Sequence, residues 1–221
     1  MADRALVVAD PGERANLTAF LGRAVRLDEA AVVRLRRRDE GHLVAWVTTG
    51  FDVLAARVVT GRMRPDDITA AADGLVHALA AVNPGDAEID PGFPMDSAWR
   101  GALPPDRGFV HVDDVPAHLL IDLARQGARV ASEHGGHGPP ASLLDQEVLA
   151  VEGRGEQVGV TMRTVFALAA MGFVPGSDLE SEVVDPAELV RVRVHRTWLR
   201  LDARYGSVCA RRGGEIPLSV L

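Results

Sequence analysis

The stretch Val190-Arg-Val-Arg-Val-His-Arg-Thr-Trp-Leu-Arg-Leu-Asp-Ala203 decides the fold class, because apolar and charged residues alternate along it. A period of two is typical of strands that have one buried and one solvated face. The apolar residues move from even positions before His195 to odd positions after Thr197, which predicts a turn or bulge between two strands. A third strand is expected at 207–211, so this end of the chain is predicted to be an antiparallel sheet.

The first half of the chain carries a second set of strand signals between two predicted helices. Three runs rich in β-branched residues are separated by short turns: 32–38, 43–48 and 53–59. Asp10-Pro-Gly-Glu13 predicts the start of the first helix, because the aspartate can cap it and proline fits its first turn. A second helix is predicted to begin near Pro65-Asp-Asp67 and to stop before Asn83.

Further helices and a hairpin are predicted in the second half. Asp113-Asp-Val-Pro116 is typical of a helix start, since acids and proline are favoured in a first turn. Gly153-Arg-Gly155 lies between two short strand-like runs and predicts a hairpin turn. Thr161 is expected to cap a short helix that ends at Gly172 in a left-handed cap.

These signals predict an α+β protein of two modules. Residues 1–92 form an N-terminal α-β-β-β-α module, 93–107 a proline-rich connecting segment, and 108–221 a C-terminal α+β module. Each module is expected to hold an antiparallel sheet of about three to five strands packed with two or three helices. One sheet-rich unit with a pseudo-repeat fits the same pattern.

The composition limits the chemistry. The sequence contains 24 arginines and no lysine, which excludes a P-loop and Schiff-base catalysis because both need a lysine. The net charge of −7 argues against nucleic acid as a partner, since phosphate binding needs a concentrated basic face. No apolar run approaches the ~20 residues of a membrane span. We therefore predict a cytoplasmic protein that needs no cofactor and binds neither nucleic acid nor a membrane.

Cys209 is the single cysteine, so an intramolecular disulfide is excluded. It lies in the apolar strand context Ser207-Val-Cys-Ala210, which predicts a buried, unreactive thiol rather than a nucleophile.

The sharpest candidate for metal chemistry is Glu133-His134-Gly-Gly-His137. Two imidazoles three residues apart beside a carboxylate could ligate zinc or another divalent ion. The flanking glycines leave the imidazoles unorganised, and no third ligand can be identified. We therefore predict no metal, and keep His134 and His137 as the alternative.

Two places could bind an anion or a partner without catalysis. Arg163 falls in the first turn of the helix that Thr161 caps, where a cation is unfavourable unless an anion or a carboxylate is also present. In the connecting segment, Trp99 and Arg100 offer an aromatic face beside a cation, next to the expected cleft between the modules. A salt bridge for Arg163 and a purely structural role for Trp99 remain the alternatives.

Several segments resemble an uncharacterised family of high-GC Gram-positive, actinobacterial bacteria. They are Trp198-Leu-Arg-Leu-Asp-Ala-Arg-Tyr-Gly-Ser207, Thr161-Met-Arg-Thr-Val-Phe-Ala-Leu168, Met171-Gly-Phe173 and Phe20-Leu-Gly-Arg-Ala-Val-Arg-Leu-Asp28. The likeness covers most of the chain. It implies a two-module protein and assigns no activity and no catalytic residue.

The sequence therefore favours a protein-interaction or small-ligand-binding module without catalysis. The expected partner is a protein or a small anionic ligand. A homodimer is open as well, because the order α-β-β-β-α is similar to that of small acidic chaperone-like dimers. The alternative function is a metal-dependent hydrolase that uses the loop of His134 and His137.

Overall fold

The computed structural model describes residues 4–82, 88–133, 138–176 and 184–212. The first half contains β1 (Ala5–Val7), α1 (Pro11–Leu27), β2 (Val32–Arg37), β3 (His42–Thr48), β4 (Leu54–Thr60), β5 (Arg62–Arg64), β6 (Asp67–Ala71) and α2 (Ala72–Ala80). A short 3₁₀ turn at Asp96–Ala98 follows. The second half contains β7 (Val110–Pro116), α3 (Ala117–Glu133), α4 (Ala141–Leu144), β8 (Glu147–Gly153), β9 (Glu156–Thr161), α5 (Met162–Ala170), β10 (Leu189–His195), β11 (Trp198–Ala203) and β12 (Gly206–Arg211).

One antiparallel sheet of eight strands runs through both halves, in the order β6-β2-β3-β4-β12-β11-β10-β7. The two halves meet where β4 pairs with β12, through Ala56 with Ser207, Ala55 with Val208 and Leu54 with Cys209. Two further pairs of strands lie outside this sheet, β1 with β5 and β8 with β9. The mixed fold with two modules and antiparallel sheets is confirmed. The prediction of a separate sheet of three to five strands in each module is wrong, because each module contributes four strands to a common sheet.

The two halves of the large sheet are built alike. Each consists of a three-stranded meander flanked by a strand that leads directly into a helix. In the first half β6 runs into α2 and pairs with β2; in the second half β7 runs into α3 and pairs with β10. The pseudo-repeat that the sequence left open is therefore visible in the strand order.

All four long helices cover one face of the large sheet. Buried residues of α1, α2, α3 and α5 belong to one apolar core with the sheet residues that point to the same side. Leu21, Leu75, Leu120 and Leu168 are fully buried in this core. The alternation of the strands explains the arrangement, because every second residue then turns an apolar side chain toward the helices.

Two predicted helix starts are displaced by strands. α2 begins at Ala72, not near Pro65, because Asp67–Ala71 pairs with β2 as β6. α3 begins at Ala117, because Asp113 to Pro116 pair with β10 as the end of β7. Proline is tolerated there because β7 is an edge strand.

Other local predictions are confirmed. The Asp10 carboxylate accepts a hydrogen bond of 2.8 Å from the backbone N–H of Glu13 at the start of α1. Gly172 follows α5 with a φ of +59°, as a left-handed cap requires. His195 and Trp198 pair across a tight turn between β10 and β11. Among the described residues, no helix is long and apolar enough to cross a membrane.

Candidate functional site at the module junction

The connecting segment lies against the face of the sheet that the helices leave open. Trp46, Ala56, Trp198 and Cys209 form a small buried cluster there, with one or more members from each half of the sheet. Trp99, Leu103 and Phe109 of the connecting segment and its flank pack on this cluster. We call this set the connector cluster. It spans the junction between β4 and β12, so the segment contacts both modules.

Trp99 and Arg100 occupy different environments. The Trp99 side chain is half-buried, and its indole N–H donates to the carbonyl of Gly101 at 3.2 Å. Arg100 is exposed. Trp99 packs on the connector cluster, whereas binding of a ligand or partner by Trp99 and Arg100 stays a prediction.

Ion pairs surround the connector cluster on the same sheet face. The guanidinium of Arg34 donates to both carboxylate oxygens of Asp67, at 2.8 and 2.7 Å. This hydrogen bonding raises the pKa of Arg34. On the other module, Asp202 pairs with Arg193 at 3.0 Å and with Arg200 at 2.5 Å. The arginines of β2 and β10 thus form a solvated, internally paired strand face.

Cys209 is the one titratable member of the connector cluster. Its side chain is buried, and desolvation raises the pKa of the thiol to about 12. A thiol of that pKa carries almost no thiolate at neutral pH. This environment agrees with the expected inert cysteine.

Arg163 connects the two modules through acids and a carbonyl. It donates to the carbonyl of Phe51 at 2.8 Å, and it pairs with Asp52 at 3.3 Å and with Asp145. The hydroxyl of Thr161 lies 3.1 Å from the hydroxyl of Thr164 and does not cap α5. These contacts supply the carboxylates that the cation in the first turn of α5 requires. Ligand binding by Thr161 and Arg163 stays a prediction.

The proposed metal loop falls mostly outside the described residues. Glu133 is the exposed last residue of α3, whereas His134 and His137 lie outside the described ranges. Over residues 4–82, 88–133, 138–176 and 184–212, no group of three or more His, Cys, Asp or Glu is arranged to hold a metal ion.

A pocket at the same junction, on the helix side of the sheet, was not foreseen from the sequence. It lies between α1, β4, the end of α5 and the turn before β12, and has a volume of about 150 Å³. Its polar lining consists of Asn16, Arg23, Arg57 and Tyr205. We call it the two-arginine pocket. No local sequence signal relates Arg57 or Tyr205 to the residues of α1, since the contact of α1 with β4 and the pairing of β4 with β12 bring them together.

The fold defines a class. Solved structures that match nearly the whole chain include DNA polymerase sliding clamps. The clamp from Bacillus subtilis superposes with a TM-score of 0.58 at 13% identity, covering 97% of this chain and 66% of the clamp chain. The pol III beta protein of Caulobacter crescentus gives 0.56 at 15% identity, with coverages of 94% and 64%. The Pseudomonas aeruginosa clamp gives 0.53 at 12%, with coverages of 96% and 65%. The chain thus has a clamp-like fold and spans just under two thirds of the length of these clamp chains.

Family models cover almost the whole chain. Residues 104–215 match a domain of unknown function, DUF8185, and the chain belongs to that family. Residues 1–101 match a second domain of unknown function, DUF8010. The predicted two-module protein of uncharacterised family is confirmed at this level, and the two models meet inside the predicted connecting segment. No curated protein sequence matches the chain.

The likeness to clamps corrects two functional predictions. An interaction or small-ligand module, with a hydrolase at His134 and His137 as its alternative, is contradicted because the fold is that of DNA polymerase clamps. The exclusion of nucleic acid is contradicted by the same finding. That exclusion rested on the net charge of −7 and on the need of phosphate binding for a concentrated basic face. Net charge bears on non-specific binding to phosphates, and it does not exclude every mode of association with DNA.

Proposed function

We propose that this protein is a clamp-like subunit that assembles with further copies of itself and encloses duplex DNA. The observation that carries the proposal is the continuous eight-stranded sheet with all four long helices on one face, which matches sliding clamps over 97% of the chain. The match to about two thirds of a clamp chain supports assembly from several copies.

Enclosure also fits the charge of the chain. Gripping DNA through phosphates requires many cations and becomes weak as salt rises. A chain with a net charge of −7 is a poor candidate for that mode. A closed assembly retains DNA by topology, so it needs no strongly basic surface. We therefore expect retention that depends on the ends of the DNA more than on ionic strength.

The test compares circular and linear DNA. The protein is diluted to favour free subunits, mixed with nicked circular plasmid, concentrated and passed over a sizing column in about 0.5 M salt, where phosphate contacts are weak. We expect co-elution with the circle and loss of the protein when the same plasmid is cut once. Equal retention on circular and linear DNA, or no retention on either, would contradict enclosure.

Self-association has its own measurement. Light scattering of the purified chain over a range of concentrations should give a mass well above the 23.6 kDa of one chain. A mass that stays at that of a single chain, in the presence and absence of DNA, would contradict assembly. The proposal places the protein with DNA in the cytoplasm, and an actinobacterial origin stays a prediction from the family resemblance of segments such as Trp198-Leu-Arg-Leu-Asp-Ala-Arg-Tyr-Gly-Ser207.

A further inference from the structure

Three exposed arginines lie around the turn between β10 and β11. They are Arg107, Arg196 and Arg211, and we call them the arginine triplet. Among the residues that the structure describes, none of the three forms an ion pair. The arginines of β2, β10 and β11, by contrast, all pair with aspartates. The triplet therefore keeps its positive charge, whereas the charges of those strands are neutralised.

Arg196 and Arg211 lie on either side of Trp198. Arg196 occupies the turn that joins β10 to β11, two residues before Trp198. Arg211 is the residue of β12 that pairs with Trp198, and its guanidinium carbon lies 4.2 Å from the centroid of the indole ring. Stacking on an indole positions a guanidinium and leaves the N–H groups at its edge available to an acceptor. Arg211 is therefore held in place without losing its capacity to bind an anion.

The connecting segment brings Arg107 to the same turn. The ring of Phe109 lies 5.7 Å from the ring of His195, the last residue of β10. Gly108 passes so close to this histidine that a β carbon on it would lie 3.4 Å from the imidazole. Arg107 is the neighbour of Gly108 in the chain, so it adds a third positive charge beside the turn.

Nearby acids do not neutralise the triplet. Asp202 pairs with two arginines of the sheet, and Glu156 lies 3.9 Å from Arg212. Asp106 is exposed and, among the described residues, forms no ion pair. The turn therefore carries a local excess of positive charge on a chain whose net charge is −7.

We propose that the arginine triplet binds an acidic, extended segment of a partner protein through the carboxylates of that segment. Guanidinium groups pair bidentately with carboxylates, and such complementary charges speed association and fix register. Nucleic acid is a poorer fit, because three cations bind phosphates only weakly. Trp198 is also only 5% exposed beneath Arg211, so it offers no open face on which a base could stack.

The first experiment measures the binding of fluorescein-labelled hexaglutamate to the full chain by fluorescence anisotropy. It is carried out in about 20 mM salt, where exposed charges are weakly screened. We expect Arg107→Gln/Arg196→Gln/Arg211→Gln to raise Kd about tenfold or more, since three exposed charge pairs are lost together. Hexaglutamine, which has no charge, should not bind. Absence of hexaglutamate binding to the wild type overturns the proposal.

The matched control removes the same charge elsewhere. Arg26→Gln/Arg38→Gln/Arg129→Gln changes three exposed arginines outside the triplet and should bind hexaglutamate as the wild type does. Equal weakening in the two triple variants would mean that only net charge matters, and would overturn the proposal. If loss of the stacking on Trp198 impairs folding, the double variant Arg107→Gln/Arg196→Gln replaces the triple variant and should still weaken binding several-fold.

The second experiment uses a labelled single-stranded DNA of about 12 nucleotides in the same buffer. Weaker binding of this DNA than of hexaglutamate supports an acidic protein segment as the occupant. Tighter binding of the DNA, lost when the triplet is substituted, would assign the surface to nucleic acid and overturn the proposal. Because neither experiment uses circular DNA, failure of enclosure and failure of this surface give different results.

Discussion

The two faces of the eight-stranded sheet bury very different amounts of apolar side chain. The helix-covered face buries long aliphatic and aromatic side chains from four helices in one core. The opposite face, which carries the connector cluster and which we call the connector face, buries only a small cluster around Trp46 and Trp198 and surrounds it with arginine-aspartate pairs. The helix-covered face stabilises the protein by burying a large apolar area. The connector face joins the modules with a small apolar cluster and keeps charged, solvated side chains around it. Substitutions on the two faces should therefore differ in kind as well as in size.

The largest expected effect concerns Cys209, because the labelling rate of its thiol measures how often the connector face opens to solvent. In native protein at pH 8, a thiol reagent should label Cys209 at least ~10³-fold more slowly than in urea, because labelling then requires opening of the fold. The raised pKa of Cys209 also predicts the direction in which stability changes with pH. The thiol of the unfolded chain ionises near pH 8.5, so the stability from the neutral buried thiol is full below that pH and is lost as pH rises toward about 12. Rapid native labelling would show that the connector face opens independently of the core.

The next effect separates the faces directly. Leu168→Ala in α5 should lower the free energy of unfolding by ~2–5 kcal/mol, because Leu168 is fully buried on the helix-covered face. Val58→Ala, at a residue that is 41% exposed on β4, should cost only about 0.5 kcal/mol. Urea denaturation of both variants measures the difference. Equal decreases in the free energy of unfolding would contradict a larger contribution of the helix-covered face to stability.

A smaller effect is expected from the connecting segment. Trp99→Ala should destabilise the protein by roughly 1–3 kcal/mol, since Trp99 is half-buried against the connector cluster. It should also speed the labelling of Cys209, which belongs to the same cluster. Phe93→Ala is the control in the same segment, because Phe93 is 89% exposed. If Phe93→Ala and Trp99→Ala behave alike in denaturation, the segment does not hold the modules together.

The smallest effect belongs to the ion pairs of the connector face. A double-mutant cycle with Arg34→Gln and Asp67→Asn should give a coupling of about 0–1 kcal/mol, because both side chains are partly exposed. The coupling should fall further in 1 M salt. A salt-independent coupling well above this range would mean that these pairs contribute as buried groups do.

Helix caps and turns could be predicted from the sequence, whereas the pairing of distant strands could not. The cap at Asp10, the end of α5 at Gly172 and the turn between His195 and Trp198 depend on a few neighbouring residues, and each was predicted correctly. Asp67–Ala71 was misread as helix because acids and proline near 65–67 are equally typical of a first turn. Its pairing with β2 overrides that local preference.

The candidate site shows the same limit. Trp99 was singled out because a free linker has no need of a large aromatic residue, and it does pack on the sheet. Arg23 and Arg57 were not singled out, since 34 positions separate them and both read as ordinary arginines in an arginine-rich chain. Their approach depends on the contact between α1 and β4 and on the turn before β12, which no local pattern encodes.

The pairing of β4 with β12 can form only late in synthesis, because it joins strands that are far apart in the sequence. Residues 54–60 emerge from the ribosome long before residues 206–211, so the free edge of β4 waits unpaired while most of the second half is made. Unpaired edges recruit other strands, and contacts so distant in sequence form slowly. A nascent chain stalled before residue 206 would thus expose an adhesive strand until a chaperone covered it or a protease removed it.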